Sequence, residues 1–207
     1  MPIVTGVKPQ KNKKRVNIYL DDKFGFGLDL ENFIKLHLKV EQELTQKEVE
    51  DIVKKAEFQK TLDYLLKFAM MRPRSEKEIS DWFKRKKVHE SMQKDLFDRL
   101  KHFELLNDLK FAQWWVDQRM QYRSKSKRML NNELRVKGIK DEIIKKVLSE
   151  TKIDEPKMIA QILEKKAYKW RNLTGRDQKQ KMTEYLLRNG YDWDNIKTAI
   201  DEFLSKR

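Results

Sequence analysis

The feature that most constrains this 207-residue chain is an apolar spacing that occurs three times in residues 58–207. Each set contains four apolar residues, separated by 4, 5 and 9 positions, and successive sets are shifted by 51 and 52 residues. The pattern predicts two helices joined by a tight turn, within a repeat of about 50 residues. The sets are Ile79, Phe83, Val88, Phe97; Leu130, Leu134, Ile139, Leu148; and Met182, Leu186, Tyr191, Ile200.

One more apolar helical pattern precedes each pair, so the repeating unit is expected to have three helices. The sequence therefore predicts three-helix repeats over 58–107, 108–154 and 155–207. Units of this size bury little core alone, so we expect stacked repeats in a mainly α, elongated and curved molecule. The preceding patterns are Leu62, Leu65, Leu66, Phe68; Phe111, Ala112, Trp115, Val116; and Ile159, Ile162, Leu163, Ala167.

Two glycines support the predicted turns between the paired helices. Gly138 and Gly190 each come directly before the turn hydrophobe. A helix C-terminus commonly ends in a left-handed residue, and glycine adopts that conformation most readily. Lys87 is the matching residue of the first set, a departure that costs about 1 kcal/mol.

The N-terminal part of the chain has a different pattern. Three short β-like runs lie within residues 3–28, and Asp21-Asp22-Lys23 has the composition of a hairpin turn. A helical pattern follows over 29–38, and a capping box at 45–48 begins another helix. Residues 1–57 are therefore predicted to form a small α+β module with a short antiparallel sheet. We favour a structural role for this module over a separate binding site.

The positive charge of the chain is concentrated in the helical part. The net charge is +14, and residues 58–207 hold 36 Lys and Arg against 23 Asp and Glu. In residues 1–57 the two classes are nearly balanced, at 11 against 10. A basic surface of this kind indicates a polyanionic partner, and nucleic acid first. The alternative is a basic protein with no such partner.

Catalysis, a metal and a cofactor are not expected. The chain has no Cys, and His37, His89 and His102 are far apart and outside metal-ligand spacing. Asp192 is interpreted as the N-cap of the last helix, since no nucleophile motif accompanies it. No apolar run approaches 18 residues, which predicts a soluble, cytoplasmic protein that does not enter the membrane. We expect a monomer.

The best-formed helix start of the first repeat lies at residues 72–79. Ser75 and Glu78 form a capping box, while Ile79, Trp82 and Phe83 follow at core spacing. The cations of this stretch are then left for a partner. They are Arg72, Arg74, Lys84 and Arg85.

The strongest candidate interface is the junction 118–132, which contains five cations and no acid. Because the cations repel one another, an external anion would stabilise them. Arg135 is expected to share an exposed helix face with Arg128. Burial is favoured for Trp82 and Trp115, whereas Trp114 is the expected surface aromatic. The cations are Arg119, Arg123, Lys125, Lys127 and Arg128.

Three stretches, in order, resemble sequence boxes of the bacterial RecX family. Arg-Pro-Arg-Ser-Glu-Lys-Glu-Ile at 72–79 resembles its R-x-R-S-x-x-E-[LI] box. Residues 106–119 are similar to L-[ND]-D-x-x-[FY]-A-x-x-[FYW]-[VI]-x-x-R, with Asn107 in the place of a more usual Asp. Residues 133–139, Glu-Leu-Arg-Val-Lys-Gly-Ile, resemble E-L-x-x-K-G-I. The resemblance covers residues 58–207, and an N-terminal extension like 1–57 resembles the longer Firmicutes-type members.

The resemblance implies three tandem three-helix repeats and a regulator of the recombinase RecA. Such a protein would lie in the groove of the RecA–single-stranded DNA filament and limit its extension, ATPase and strand exchange. The implied processes are DNA repair, recombination and the SOS response, and double-stranded DNA is a further possible partner. The alternative is a general nucleic-acid-binding protein that uses a basic helical-repeat surface and has no recombinase partner.

Overall fold

The computed structural model describes residues 1–11, 13–122 and 125–205. Within them the chain is mainly α, with ten α-helices after an N-terminal three-stranded antiparallel sheet. The mainly α fold with an N-terminal sheet is confirmed. None of the helices in the described residues has the length and apolar run needed to span a bilayer.

The chain divides into two compact units. Residues 1–72 and 87–102 form the first unit, and residues 73–86 and 103–207 form the second. The middle helix of the first predicted repeat therefore belongs to a different unit from the helices on either side of it. The repeat boundaries taken from the sequence stay a prediction.

The first unit contains the sheet and three helices. The three strands lie side by side in chain order, and two residues with positive φ, Asp21 and Asp22, form the predicted hairpin turn between the second and third strands. Its core contains Val16, Ile18 and Leu28 from the sheet, together with other apolar residues from the strands, the helices and the segment 36–45. The elements are β1 (Val4–Pro9), β2 (Arg15–Leu20), β3 (Lys23–Asp29), α1 (Leu30–Lys35), α2 (Gln46–Met70) and α4 (Glu90–His102).

Helix α2 is longer than the sequence pattern predicts. The sequence suggests one helix that starts at the Thr45 cap and a separate one around Leu62, but the structure joins them into one helix of 25 residues. Neither Gly nor Pro occurs between Thr45 and Leu62, so nothing in the sequence forces a break. The Thr45 capping box is present in full, since the side chains of Thr45 and Glu48 each accept a backbone N–H of the other residue.

The second unit contains the other seven α-helices of the described chain and a short 3-10 helix. One apolar core lies among the three helices of residues 108–150, and another lies among the three α-helices of residues 155–205. The elements are α3 (Glu76–Lys86), α5 (Asp108–Tyr122), α6 (Lys127–Val136), α7 (Asp141–Glu150), α8 (Glu155–Lys166), the 3-10 helix Ala167–Lys169, α9 (Gly175–Arg188) and α10 (Trp193–Ser205).

The repeating apolar positions are buried more completely in the second and third sets than in the first. All four residues of the second set and all four of the third are buried. In the first set Ile79 and Phe83 are buried, whereas Val88 and Phe97 are only half-buried and Leu96 and Leu100 take the core positions of α4. The three predicted left-handed turn residues are confirmed, with φ of 53° at Lys87, 80° at Gly138 and 86° at Gly190.

Candidate nucleic-acid and partner interface

The N-terminus of α3 is fixed to the turn that follows α6. The Ser75 hydroxyl accepts the backbone N–H of Glu78 at 3.2 Å, as the predicted cap requires, and it donates to the carbonyl oxygen of Lys137 at 2.8 Å. The Lys77 ammonium also donates to the carbonyl of Val136 at 2.8 Å. Two carbonyl groups at the C-terminal end of α6, which no further helical turn could bond, are thereby satisfied.

Charged side chains strengthen the same contact. The Glu78 carboxylate lies 2.7 Å from the Lys137 ammonium and 3.9 Å from the Arg74 guanidinium. The side chain of Arg74 is only 10% exposed, so this cation is largely removed from solvent. The backbone N–H of Glu76 donates to the Asp108 carboxylate at 2.9 Å, which brings the first residue of α5 to the first residue of α3.

Glu133 organises the facing side of α5. Its carboxylate accepts the indole N–H of Trp115 at 2.9 Å and the guanidinium Nε of Arg119 at 2.6 Å. The ring of Trp115 also carries two cations, with Arg119 4.4 Å and Lys137 4.8 Å from its centroid. Arg119 and Lys137 therefore serve the packing of α5 against α6, at an energy of about 0.5–2 kcal/mol for each cation–ring pair.

A second contact centred on a capping serine joins α6 to the third predicted repeat. Ser126 caps α6 by accepting the Met129 N–H, and its own N–H donates to the carbonyl of Asn189 at 3.3 Å. The backbone N–H of Lys127 donates to the Glu155 carboxylate at 2.8 Å, as that of Glu76 does to Asp108. Ser75 and Ser126 are the fully buried polar residues among those that the structure describes.

Two glycines allow these contacts. A Cβ on Gly138 would lie 2.7 Å from the Cβ of Lys77, and one on Gly190 would lie 2.5 Å from the Ser126 hydroxyl. Both distances are too short for a side chain, so these glycines serve close approach as well as the positive φ of the turn. Burial raises the pKa of the neighbouring Tyr191, whose side chain lies in the core of α8, α9 and α10.

The predicted contact residues differ in whether their charged groups are already bound within the fold or are exposed to a partner. Arg74 and Arg119 are engaged as described above, and Arg72 is half-buried. Lys125 donates to the side-chain oxygen of Asn189 at 3.0 Å, and Arg135 forms an exposed ion pair with Asp141 at 2.9 Å. Arg123 lies outside the described residues. The exposed cations of the predicted set are Lys84, Arg85, Lys127, Arg128 and Arg135.

The tryptophans only partly follow the prediction. Trp82 is buried, as expected, but Trp115 is half-buried beneath its cations instead of lying in the core. Trp114, the expected surface aromatic, is half-buried against Phe111 and Trp115. The exposed tryptophan of the described chain is Trp193, at 58%. The sequence offered one signal for this exposure: Trp193 directly follows Asp192, which caps α10 by accepting the Asn195 N–H.

Comparison with known families decides the relationship of this chain. Residues 2–45 match the family model of the regulatory protein RecX N-terminal domain. Residues 107–148 and 154–200 match the models of the second and third RecX three-helix domains. The regulatory protein RecX of Bacillus licheniformis is 35% identical over 98% of this chain and 78% of its own length. This chain belongs to the RecX family.

Other RecX proteins support the same relationship. The regulatory protein RecX of Bacillus subtilis is 33% identical over 98% of this chain and 77% of its own length. A crystal structure of regulatory protein RecX superposes with a TM-score of 0.69 at 23% identity and covers 97% of this chain and 100% of that one. RecX from Lactobacillus salivarius gives a TM-score of 0.58 at 25% identity, over 70% of this chain and 95% of that one.

The three RecX boxes of the sequence meet in the second unit. Ser75 and Glu78 of the first box contact Lys137 of the third, and Trp115 of the second box donates to Glu133 of the third. Several polar residues of the boxes thus bind one another. This arrangement assigns these residues to holding the helices together.

Proposed function

We propose that this chain is a negative regulator of the recombinase RecA. It binds in the groove of the RecA–single-stranded DNA filament and limits filament extension, ATPase and strand exchange. The observation that carries the proposal is membership of the RecX family, because the family resemblance implies RecA as the target. The protein acts by binding and not by catalysis, in the cytoplasm, where it would meet the filament.

The proposed contact residues are the exposed cations at two helix ends of the second unit. Lys84 and Arg85 lie in the last turn of α3, and Lys127 and Arg128 form the first turn of α6. Within the described residues, none of these four side chains has a carboxylate at ion-pair distance. Cations without internal partners can meet phosphate or acidic protein surface without first breaking a contact of the fold.

Three other cations of the predicted set differ in how firmly the fold holds them. Arg74 and Arg119 hold the fold together, so we leave them out of the proposed interface. Arg135 is more than half exposed in its ion pair with Asp141, and an exposed pair of this kind contributes about 0–1 kcal/mol. Arg135 can therefore exchange Asp141 for a phosphate at little cost, and it stays in the proposed interface.

A general nucleic-acid-binding protein is the second candidate. The excess of positive charge in residues 58–207 favours it, because such an excess promotes binding to any polyanion. Both candidates bind single-stranded DNA, so DNA binding alone does not separate them. They differ in whether the target is the assembled filament or the bare strand.

The separating experiment is a titration of the chain into RecA on single-stranded DNA, with ATP hydrolysis as the readout. A filament regulator lowers hydrolysis at amounts well below one chain per RecA. A general DNA-binding protein lowers it only when enough chain is present to coat the strand, and that result would refute the regulator. A salt series on bare strands and on assembled filaments supplies the control, since a filament-specific contact keeps affinity for filaments at salt that abolishes binding to bare DNA.

A further inference from the structure

A second acid-free corner lies between α8 and α9. Residues 165–176 contain five cations and no acid, and the corner joins the first and second helices of the third predicted repeat. The junction 118–132 occupies the same position in the second predicted repeat. The cations of the corner are Lys165, Lys166, Lys169, Arg171 and Arg176.

The backbone of this corner is held by buried contacts. Trp170 is buried in the core of α8, α9 and α10, with the edge of its ring against Tyr185. The carbonyl oxygen of Trp170 accepts the N–H of Leu173 at 3.0 Å and the side-chain amide of Gln178 at 3.1 Å. The exposed cations on either side of Trp170 therefore project from a fixed corner.

The charges of the corner are largely uncompensated. In the ranges that the structure describes, Lys165, Arg171 and Arg176 are exposed and have no carboxylate within ion-pair distance. Lys166 is half-buried over the ring of Tyr185, 5.2 Å from its centroid. Uncompensated cations at one corner repel one another, and an external polyanion relieves that repulsion.

An exposed aromatic ring stands among these cations. Tyr168 is 65% exposed, and the Lys169 ammonium lies 6.0 Å from the centroid of its ring. Single-strand-binding sites combine cations that follow the phosphate backbone with aromatic rings on which bases stack. An acidic protein surface would use the cations, whereas a single strand would use the cations for its phosphates and the ring for a base.

We propose that the corner 165–176 is a binding site for single-stranded DNA. Lys165, Arg171 and Arg176 bind phosphates, and a base stacks on Tyr168. The proposal rests on the proposed function only in taking DNA as the polyanion, and its test contains no RecA. A chain that binds the strand but does not inhibit RecA would therefore count against the proposed regulatory function alone.

The corner lies one helix length from the candidate residues at the start of α6. The Lys127 N–H bonds Glu155 at the first residue of α8, and the corner begins at the other end of that 12-residue helix. A helix of this length spans roughly 18 Å. At the roughly 3.4 Å per nucleotide of a stacked strand, about five nucleotides cover that distance. A 12-mer is therefore long enough to reach both places.

The first test measures the affinity of the full chain for a fluorescein-labelled 12-mer of deoxythymidine by anisotropy, over a series of salt concentrations. The test variant combines Lys165→Ala, Arg171→Ala and Arg176→Ala. The matched control combines Lys140→Ala, Lys145→Ala and Lys146→Ala, which removes three exposed charges at and within α7. Far-UV circular dichroism verifies the helical content of both variants.

Log affinity falls as log salt rises, and in the test variant this fall should be less steep by about 2. Three phosphate contacts are lost, and each contributes about 0.7 to the slope on a single strand. The control is expected to keep the slope of the unmodified chain. An unchanged slope in the test variant, or an equal loss in both variants, would overturn the proposal. A test variant that loses affinity for poly-glutamate but not for the strand would also overturn it, and would assign the corner to an acidic protein partner.

A second test isolates the ring. Tyr168→Leu is expected to weaken binding of the same 12-mer by about fivefold or more, because stacking on one aromatic ring contributes at least that much. Tyr168→Phe keeps the ring and is expected to bind within about twofold of the unmodified chain. Equal affinities for the Leu and Phe variants would show that no base stacks there and would contradict the proposal.

Discussion

The Ser75 hydroxyl donates a hydrogen bond of 2.8 Å to the carbonyl oxygen of Lys137, 62 residues further along the chain. The Ser75 hydroxyl oxygen also accepts the backbone N–H of Glu78 and so caps α3. One fully buried side chain therefore both begins a helix and fixes its position on the next predicted repeat. Ser126 also caps a helix one repeat later, and there the backbone N–H, not the hydroxyl, donates to the carbonyl of Asn189.

Replacing Ser75 by Ala should lower the free energy of unfolding by about 1–2 kcal/mol. The substitution removes an N-cap and leaves the carbonyl of Lys137 without the Ser75 donor. Urea unfolding followed by circular dichroism measures the change. Ser80→Ala is the matched control, because the Ser80 hydroxyl only bonds a carbonyl of its own helix, and it should change stability by less than about 0.5 kcal/mol. Equal losses in the two variants would contradict the assigned role of Ser75.

Replacing Gly190 by Ala should destabilise the chain more than replacing Gly175. Both glycines have positive φ, so both substitutions carry a backbone cost of roughly 1–2 kcal/mol. Only at Gly190 would the new Cβ also meet another group, the Ser126 hydroxyl, whereas nothing lies within 4 Å at Gly175. The further loss should be about 1–3 kcal/mol. Thermal or urea unfolding gives the difference, and equal stabilities would show that the close approach is not maintained.

Glu133→Ala should cost about 1–3 kcal/mol, because it leaves the Trp115 indole N–H and the Arg119 guanidinium without their shared acceptor. Glu133→Gln keeps a neutral acceptor for the indole and should cost less. Urea unfolding of the two variants, monitored by tryptophan fluorescence, tests this order. A Gln variant that is less stable than the Ala variant would show that the carboxylate does not have the role assigned to it.

The cap of α2 should make a contribution that depends on pH. Hydrogen bonds from Thr45 lower the pKa of the Glu48 carboxyl. The backbone N–H of Thr45 has the larger effect and its hydroxyl the smaller one. The contribution is then complete above the ordinary glutamate pKa of about 4.3 and is lost as the pH falls through the lowered value. The stability difference between the unmodified chain and Glu48→Gln should therefore shrink between about pH 6 and pH 3. Urea unfolding at several pH values measures it, and a constant difference would contradict the prediction.

The sequence was sufficient for the features that depend on local chemistry. Helix caps, turn glycines and apolar spacing are properties of neighbouring residues, so the Thr45 box, the left-handed turn at Gly190 and the buried Leu134 could all be predicted. The joining of two predicted helices into α2 could not, because a helix without Gly or Pro continues wherever both halves find packing partners.

The tertiary roles of the charged residues were beyond the sequence. Arg119 and Lys127 look alike in a charge count, yet one is fixed to Glu133 and the other is exposed. A signal was nevertheless available at Ser75 and Ser126, which are separated by 51 residues, as the first two apolar sets are. A serine that recurs at the spacing of the core indicates a contact made in both of these repeats, whereas single exposed cations carry no such period.

The most direct test of the account compares three proteins in the RecA ATPase titration on single-stranded DNA: the unmodified chain, Lys127→Ala with Arg128→Ala, and Lys145→Ala with Lys146→Ala as the charge-matched control on α7. We predict that the unmodified chain and the α7 variant inhibit hydrolysis at well below one chain per RecA. The Lys127 and Arg128 variant should need at least about tenfold more protein, with its helical content unchanged. Undiminished inhibition by that variant would contradict the proposal that the exposed cations at the start of α6 contact the filament.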